Sequence, residues 1–88
     1  MVIQYWCQRG LRHRENDKPA VIGLNGTKIW YQHGKIHRDF NRPAKICANG
    51  DQYWFQFGKK CRDNDQPAEI YSNGYKCWYQ HGEFRRAI

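Results

Sequence analysis

The sequence predicts an all-β protein, an extended and twisted antiparallel meander of three-stranded repeats of 24 residues, with no helix. The first observation behind this prediction is a constant period. Four residue types return at intervals of 24: Trp6, Trp30, Trp54 and Trp78; Gln8, Gln32, Gln56 and Gln80; Gly10, Gly34, Gly58 and Gly82; Arg14, Arg38, Arg62 and Arg86. A period of this length is typical of repeat architectures, in which each unit buries its apolar face against its neighbours.

The second observation is a turn signal inside each unit. An Asn-Gly dipeptide separates two short alternating runs at Asn25-Gly26, Asn49-Gly50 and Asn73-Gly74. This dipeptide is the strongest short-range signal for a β-hairpin with a two-residue type I′ turn. The third observation is that no segment has the length or the hydrophobic period of a helix. We therefore predict one domain, residues 1–88, with units at about 1–18, 19–42, 43–66 and 67–88.

The elements follow in order within one unit. Residues 19–24 are predicted as a first strand, residues 27–32 as a second and residues 35–38 as a third, with residues 39–42 as the loop to the next unit. The second and third strands are joined by another two-residue turn at His33-Gly34, where the glycine accepts a positive φ. Over the chain this gives about eleven short strands.

A two-residue turn at Asn25-Gly26 fixes the register of the hairpin. It places Ile22 opposite Ile29, so that these side chains share a face. That face is predicted to be aromatic and aliphatic, with members Tyr5, Ile22, Ile29, Tyr31, Ile46, Tyr53, Phe55, Ile70 and Tyr79. It cannot stay exposed. We therefore expect strong curling of the sheet or a second copy to cover it, and we favour a homodimer.

The opposite face is predicted to carry the tryptophans among polar and basic side chains. The candidate binding residues there are Trp6, Trp30, Trp54, Trp78, Lys28, Lys45, Lys76, His37 and Arg85. Two interpretations of the tryptophans stay open. They are packing units of the scaffold, or they form a surface that stacks on bases or anchors a protein interface.

Composition narrows the class of protein. The net charge of +7 attracts anionic partners. No stretch approaches the ~20 apolar residues that cross a bilayer, and no leader is visible, so we expect a cytoplasmic protein. The four cysteines fall in unrelated positions of the repeat and lack C-x-x-C spacing, which favours free thiols over a disulfide framework or a zinc site. No nucleophile–base set is present, so we expect no enzyme, no metal and no cofactor.

The run from Trp30 to Arg38, followed by Pro43-Ala44, Ile46 and Asn49-Gly50, resembles repeats of the form W-Y-x-N-G-K-x-H-R…P-A-x-I-x-x-N-G. Such repeats occur in small proteins of bacteriophages and bacteria. The W-x-x-x-G-K-x-H core of this run is also similar to the MORN repeat. The MORN resemblance implies β-hairpins stacked into an elongated twisted sheet, with a role in membrane or protein docking.

The sequence therefore predicts a non-enzymatic binding protein. Our first hypothesis is a small phage-type accessory protein that docks on a host protein or nucleoprotein and inhibits it, as a defence antagonist such as an anti-CRISPR or anti-restriction protein does. The alternative is direct binding of nucleic acid through the Trp/Lys/His face. A third hypothesis is a MORN-like structural or membrane-surface adaptor, and a membrane is the least expected partner.

Overall fold

The computed structural model describes residues 3–88; residues 1 and 2, which the predicted first unit includes, lie outside the described part. Residues 3–88 contain short strands and no helix, which confirms the all-β class. The strands are β1 Gln4–Tyr5, β2 Cys7–Gln8, β3 Leu11–Arg12, β4 Val21–Ile22, β5 Lys28–Ile29, β6 Tyr31–Gln32, β7 Lys35–Ile36, β8 Lys45–Ile46, β9 Gln52–Tyr53, β10 Phe55–Gln56, β11 Lys59–Lys60, β12 Glu69–Ile70, β13 Lys76–Gln80 and β14 Glu83–Ala87.

Eight of these strands form one antiparallel sheet, here called the main sheet, in the order β1-β4-β5-β8-β9-β12-β13-β14. The other six form three separate hairpins, β2-β3, β6-β7 and β10-β11. The main sheet is thus a meander that follows the chain order. The hairpins are joined through their turns, because the Gly58 N–H donates to the Ile36 carbonyl at 2.7 Å and the Gly82 N–H to the Lys60 carbonyl at 2.8 Å.

The predicted second strand of each unit is divided at its tryptophan. The Trp30 N–H donates to the Ala44 carbonyl of the next unit at 2.7 Å, whereas the Trp30 carbonyl accepts from the His37 N–H at 3.0 Å. The chain therefore leaves the main sheet at Trp30 and continues into the hairpin β6-β7. In the last unit β13 runs through Trp78 without a break, and a register shift between Trp78 and Tyr79 accommodates β14.

The type I′ prediction at the Asn-Gly dipeptides is wrong. The Gly26 N–H donates to the Gly23 carbonyl at 3.0 Å, and Gly26 alone has a positive φ, of 92°. This is a type I turn followed by a left-handed glycine, with a three-residue loop. The Asn25 side chain favours it, because its Oδ1 accepts from the Thr27 N–H at 3.0 Å and forms an Asx turn. The two-residue turn at His33-Gly34 is confirmed, with φ of 52° and 84°.

The longer loop shifts the first strand of each unit by one residue. Val21 rather than Ile22 lies opposite Ile29, and Ile22 lies opposite Lys28. Since neighbours along a strand point to opposite faces, a shift of one residue moves side chains to the other side of the sheet. The predicted aromatic-aliphatic face is therefore wrong for Ile22, Ile46 and Ile70, which share the opposite face with Lys28 and Lys76.

Most of the buried positions lie where the main sheet and the hairpins meet, and Glu69 and Cys77 lie opposite each other within the main sheet. The backbone N–H of each tryptophan from Trp6 to Trp54 donates to the backbone carbonyl of an alanine in the next unit. Residues opposed across a sheet have their Cβ atoms within about 5 Å of each other. Alanine is the small residue that leaves room for the adjacent indole. The buried set is Ala20, Ala44, Ala68, Trp30, Trp54, Cys61, Cys77, His13, His37 and Glu69.

Candidate binding surfaces

The tryptophans are held inside the scaffold. Trp30 is 7% exposed and Trp54 is 6% exposed. A guanidinium covers each ring: the Cζ of Arg38 lies 3.8 Å from the Trp30 ring centroid, and that of Arg62 lies 3.9 Å from the Trp54 centroid. The indole Nε1 of Trp30 donates to the Asp17 carbonyl at 3.0 Å, which ties it to a loop of the preceding unit. These two rings are therefore not available to stack on a partner.

The arginine–tryptophan contact recurs in the first and last units. The Arg14 guanidinium lies 3.6 Å from the Trp6 ring, and the Arg86 guanidinium lies 4.2 Å from the Trp78 ring. Trp78 Nε1 donates to the Asp65 carbonyl at 3.0 Å. Trp6 and Trp78 are half-buried rather than buried. Each arginine thus acts as a lid on its own tryptophan, held by cation–π attraction.

Arg38 also links two units. Its Nη1 donates to the Pro43 carbonyl at 3.0 Å, and its Nε donates to Asp17 Oδ1 at 2.8 Å. The hydrogen bond from Arg38, with a second from Arg42, lowers the pKa of the Asp17 carboxyl below its usual value, although partial burial opposes this. These bonds occupy the guanidinium within the scaffold.

His37 is buried and both of its ring nitrogens are engaged. Its Nδ1 accepts from the Phe57 N–H at 3.0 Å, so the ring proton lies on Nε2, which donates to Asp39 Oδ1 at 2.7 Å. His13 makes the same pair of bonds, with the His33 N–H and the Glu15 carboxylate. Both histidines therefore connect a loop to the hairpin turn of the next unit.

The structure separates the remaining candidate residues. Lys28 and Lys76 are exposed on the main-sheet face that carries Ile22, Ile46 and Ile70. Lys45 lies opposite Ile29 and Tyr53, on the other face. Arg85 is exposed on β14 beside the Trp78 depression. The nine residues predicted from the sequence do not form one surface.

The other face of the main sheet, together with the hairpins, carries alternating aromatic rings and cations. The Arg12 guanidinium lies 5.0 Å from the Tyr5 ring and 5.8 Å from the Tyr31 ring. Lys60 Nζ lies 5.8 Å from the Tyr53 ring and 5.0 Å from the Tyr79 ring. We call this surface the tyrosine face and define it by Tyr5, Tyr31, Tyr53, Tyr79, Arg12, Lys45 and Lys60.

Sequence reasoning did not select Arg12 or Lys60. A signal for them was present, because they occupy the same position in their units as Ile36, in the strand that follows the hairpin turn. That position lies directly opposite Tyr31 in the second unit and opposite Phe55 in the third. The opposed pairing places it on the side of the tyrosines.

A charged cluster on the tyrosine face joins the third unit to the last one. Glu69 is 3% exposed, its Oε2 accepts from Lys60 Nζ at 2.5 Å, and its Oε1 accepts from the Tyr71 hydroxyl at 2.9 Å. Burial alone would lower the pKa of Lys60, but the hydrogen bond and charge of Glu69 outweigh it, so that the pKa is raised. Burial and the bond to Glu69 raise the pKa of the Tyr71 hydroxyl strongly.

We expect this cluster to make the protein less stable at alkaline pH. Because the folded pKa of Tyr71 lies above its unfolded value, its contribution is fully present below about pH 10 and is lost as pH rises from there toward the folded pKa. Urea midpoints measured between about pH 9 and 11 should therefore decline, and Tyr71→Phe should flatten the decline. An identical decline in the variant would show that Tyr71 titrates as it does in the unfolded chain.

Three further features of the described residues concern metal binding, the cysteines and membrane-spanning helices. Within residues 3–88, no group of three or more His, Cys, Asp or Glu side chains is placed to hold a metal ion. All four cysteines are free. Across the same residues we find no helix of the length and apolarity that crossing a membrane requires.

Comparison with known proteins gives no relative. No family model matches the chain, no curated protein matches it in sequence, and no solved structure matches its fold.

Proposed function

We propose that the chain is a non-enzymatic binding protein that docks, through the tyrosine face, on an acidic surface of a partner protein. The observation that supports it best is the placement of the Arg12 guanidinium between the rings of Tyr5 and Tyr31. Tyr5 is 54% exposed and Arg12 is exposed, so both can reach a partner. Among the ion pairs of residues 3–88, none includes Arg12 or Lys45.

The chemistry of this surface suits a protein interface. Tyrosine and arginine are among the residues most often found as binding hot spots. Tyrosine buries a large area with few rotatable bonds. Arg12 and Lys45 form no ion pair with a carboxylate among the described residues, and the chain has a net charge of +7. Both features favour an acidic partner and raise the rate of association with it. The tryptophans are kept out of the interface by their arginine lids.

For the biological setting we keep the hypothesis of a small accessory protein that inhibits a host protein or nucleoprotein in the host cytoplasm. It rests on the resemblance of the run from Trp30 to Arg38 to phage and bacterial repeats. Direct nucleic-acid binding is the second candidate, because alternating rings and cations also stack on single-stranded bases.

Charge reversal within the first unit tests the proposal. Arg12→Glu should reduce the capture of a partner from a nuclease-treated bacterial lysate about tenfold or more, as expected for a hot spot worth ~2 kcal/mol. Lys18→Glu is the matched control, since it makes the same charge change at an exposed loop position outside the tyrosine face. Melting curves of both variants establish that the fold is intact.

Three results would contradict it. Equal losses in both variants would mean that only net charge matters. Capture that nuclease abolishes, with a steep loss in salt, would assign the face to nucleic acid. A dimer mass in light scattering that Tyr5→Ala converts to monomer would show that a second copy covers the face.

A further inference from the structure

The second unit and the third each carry an exposed phenylalanine at a backbone position that disfavours it. Phe40 is 82% exposed with φ of 65°, and Phe57 is 64% exposed with φ of 49°. In this left-handed region an ordinary side chain crowds its own backbone, so a phenylalanine there destabilises the fold. Exposed aromatic rings at such positions point to a use outside the core.

The other units show what these positions require. Where Phe40 stands, the first and third units have Asn16 and Asn64, with φ of 62° and 63°. Asparagine is the residue type that tolerates this conformation best after glycine. Where Phe57 stands, the remaining units have the polar residues Arg9, His33 and His81, with φ from 52° to 53°. The turn geometry is the same in each case, so the scaffold does not need phenylalanine.

The two phenylalanines border the same part of the surface. The Phe57 ring stacks on the His37 ring at 4.2 Å, and His37 Nε2 is bonded to Asp39, the neighbour of Phe40. His37 follows directly after β7, and it joins the loop that carries Asp39 and Phe40 to the turn that carries Phe57.

The charges around the pair are mixed. Phe40 shares a depression with Glu15 and Asp17, and the Arg42 guanidinium lies 5.9 Å from its ring. The phosphates of a nucleic acid or of an anionic membrane would meet the carboxylates of Glu15 and Asp39. An aromatic centre with a rim of both charges is instead the arrangement of a protein–protein interface.

We propose that Phe40 and Phe57 are paired anchors for a partner protein that offers apolar pockets rimmed by charges of both signs. This site is separate from the tyrosine face and does not depend on it. Its two exposed rings provide the aromatic centre that the partner would bury, and the charged side chains of Arg42, Asp39 and Glu15 lie beside Phe40 at the edge.

The first part of the test is stability. Phe40→Asn places the residue of the first and third units at this turn, and it should raise the melting temperature by about 2–5 °C. Phe57→His places the residue of the second and last units, and it should leave the melting temperature nearly unchanged. A fall of several degrees in either variant would show that the ring is part of the scaffold and would overturn the proposal.

The second part is binding, measured with the full chain against a nuclease-treated bacterial lysate. The double variant Phe40→Asn/Phe57→His should capture at least about tenfold less partner protein than the wild type, as expected for hot-spot anchors. The control Leu24→Asn, which removes an exposed apolar side chain at a main-sheet turn, should capture as the wild type does.

Several outcomes would reject the anchors. Equal capture by the double variant and the wild type, or no capture by either, contradicts the proposal. So does Phe-dependent binding to a dT20 oligonucleotide or to phosphatidylserine vesicles, which would assign the rings to nucleic acid or to lipid. A loss with Arg12→Glu but not with the double variant would leave the tyrosine face standing and reject the anchors alone.

Discussion

Replacing Trp30 or Trp54 with alanine should unfold the protein or bring it close to unfolding at room temperature. Each indole is buried, is covered by a guanidinium and donates a hydrogen bond to a loop carbonyl. Removing a buried tryptophan costs about 3–5 kcal/mol. A domain of this size has a total stability near the lower end of the usual range of about 5–15 kcal/mol. Thermal melts followed by circular dichroism measure the loss.

Trp78→Ala is the matched comparison. Its ring has the same lid and the same indole hydrogen bond, but it is only half-buried, so the loss should be smaller. An unchanged melting temperature of Trp30→Ala would contradict the scaffold role. It would favour the interpretation in which the tryptophans form a binding surface.

Lys60→Ile should destabilise the protein by about 3 kcal/mol, because it leaves the buried Glu69 carboxylate without its cation. The double variant Lys60→Ile/Glu69→Val should recover most of that loss. Its two new residues are those that the second unit has at these positions, Ile36 and Val21. Replacing a buried ion pair with apolar residues of similar size is often neutral or stabilising.

Urea unfolding of the wild type, the single variant and the double variant gives the comparison directly. The exposed Lys59→Ile is the control, since it removes a neighbouring cation that has no buried partner among the described residues. A double variant no more stable than Lys60→Ile would mean that the hydroxyl of Tyr71, and not the unpaired carboxylate, determines the loss.

The fold class could be predicted because it depends on local signals. The Asn-Gly and His-Gly dipeptides mark hairpins wherever they lie between alternating runs. The type of turn could not be predicted, since Asn-Gly also suits a type I turn followed by a left-handed glycine. The choice depends on the Asx bond of Asn25. The loop is one residue longer than predicted, and this difference places Ile22 on the other face of the sheet.

The candidate site was predicted less well, because its decisive contacts join different units. The alternation along the predicted second strand put Trp30 on an open polar face, whereas its ring is buried. The loop that accepts its indole hydrogen bond lies 13 residues earlier, and the carboxylate that holds Arg38 lies 21 residues earlier. Such contacts depend on how the units stack. Phe40 and Phe57 could not be predicted from the period, because each departs from the residue that other units have at its position.

The links between units have one more consequence. The indole bond spans 13 residues, the glutamine amide bond to an arginine carbonyl spans 18, the histidine bond to the next turn spans 20 and the arginine bond spans 21. Each of these hydrogen bonds therefore joins residues of two neighbouring units at a fixed separation in the sequence. An insertion or deletion of a few residues changes the separation of every linked pair that brackets it, whereas adding or removing a whole unit of 24 residues preserves the separations. We therefore expect the array to tolerate changes of length best in steps of one unit, while the side chains on its surface remain free to diverge.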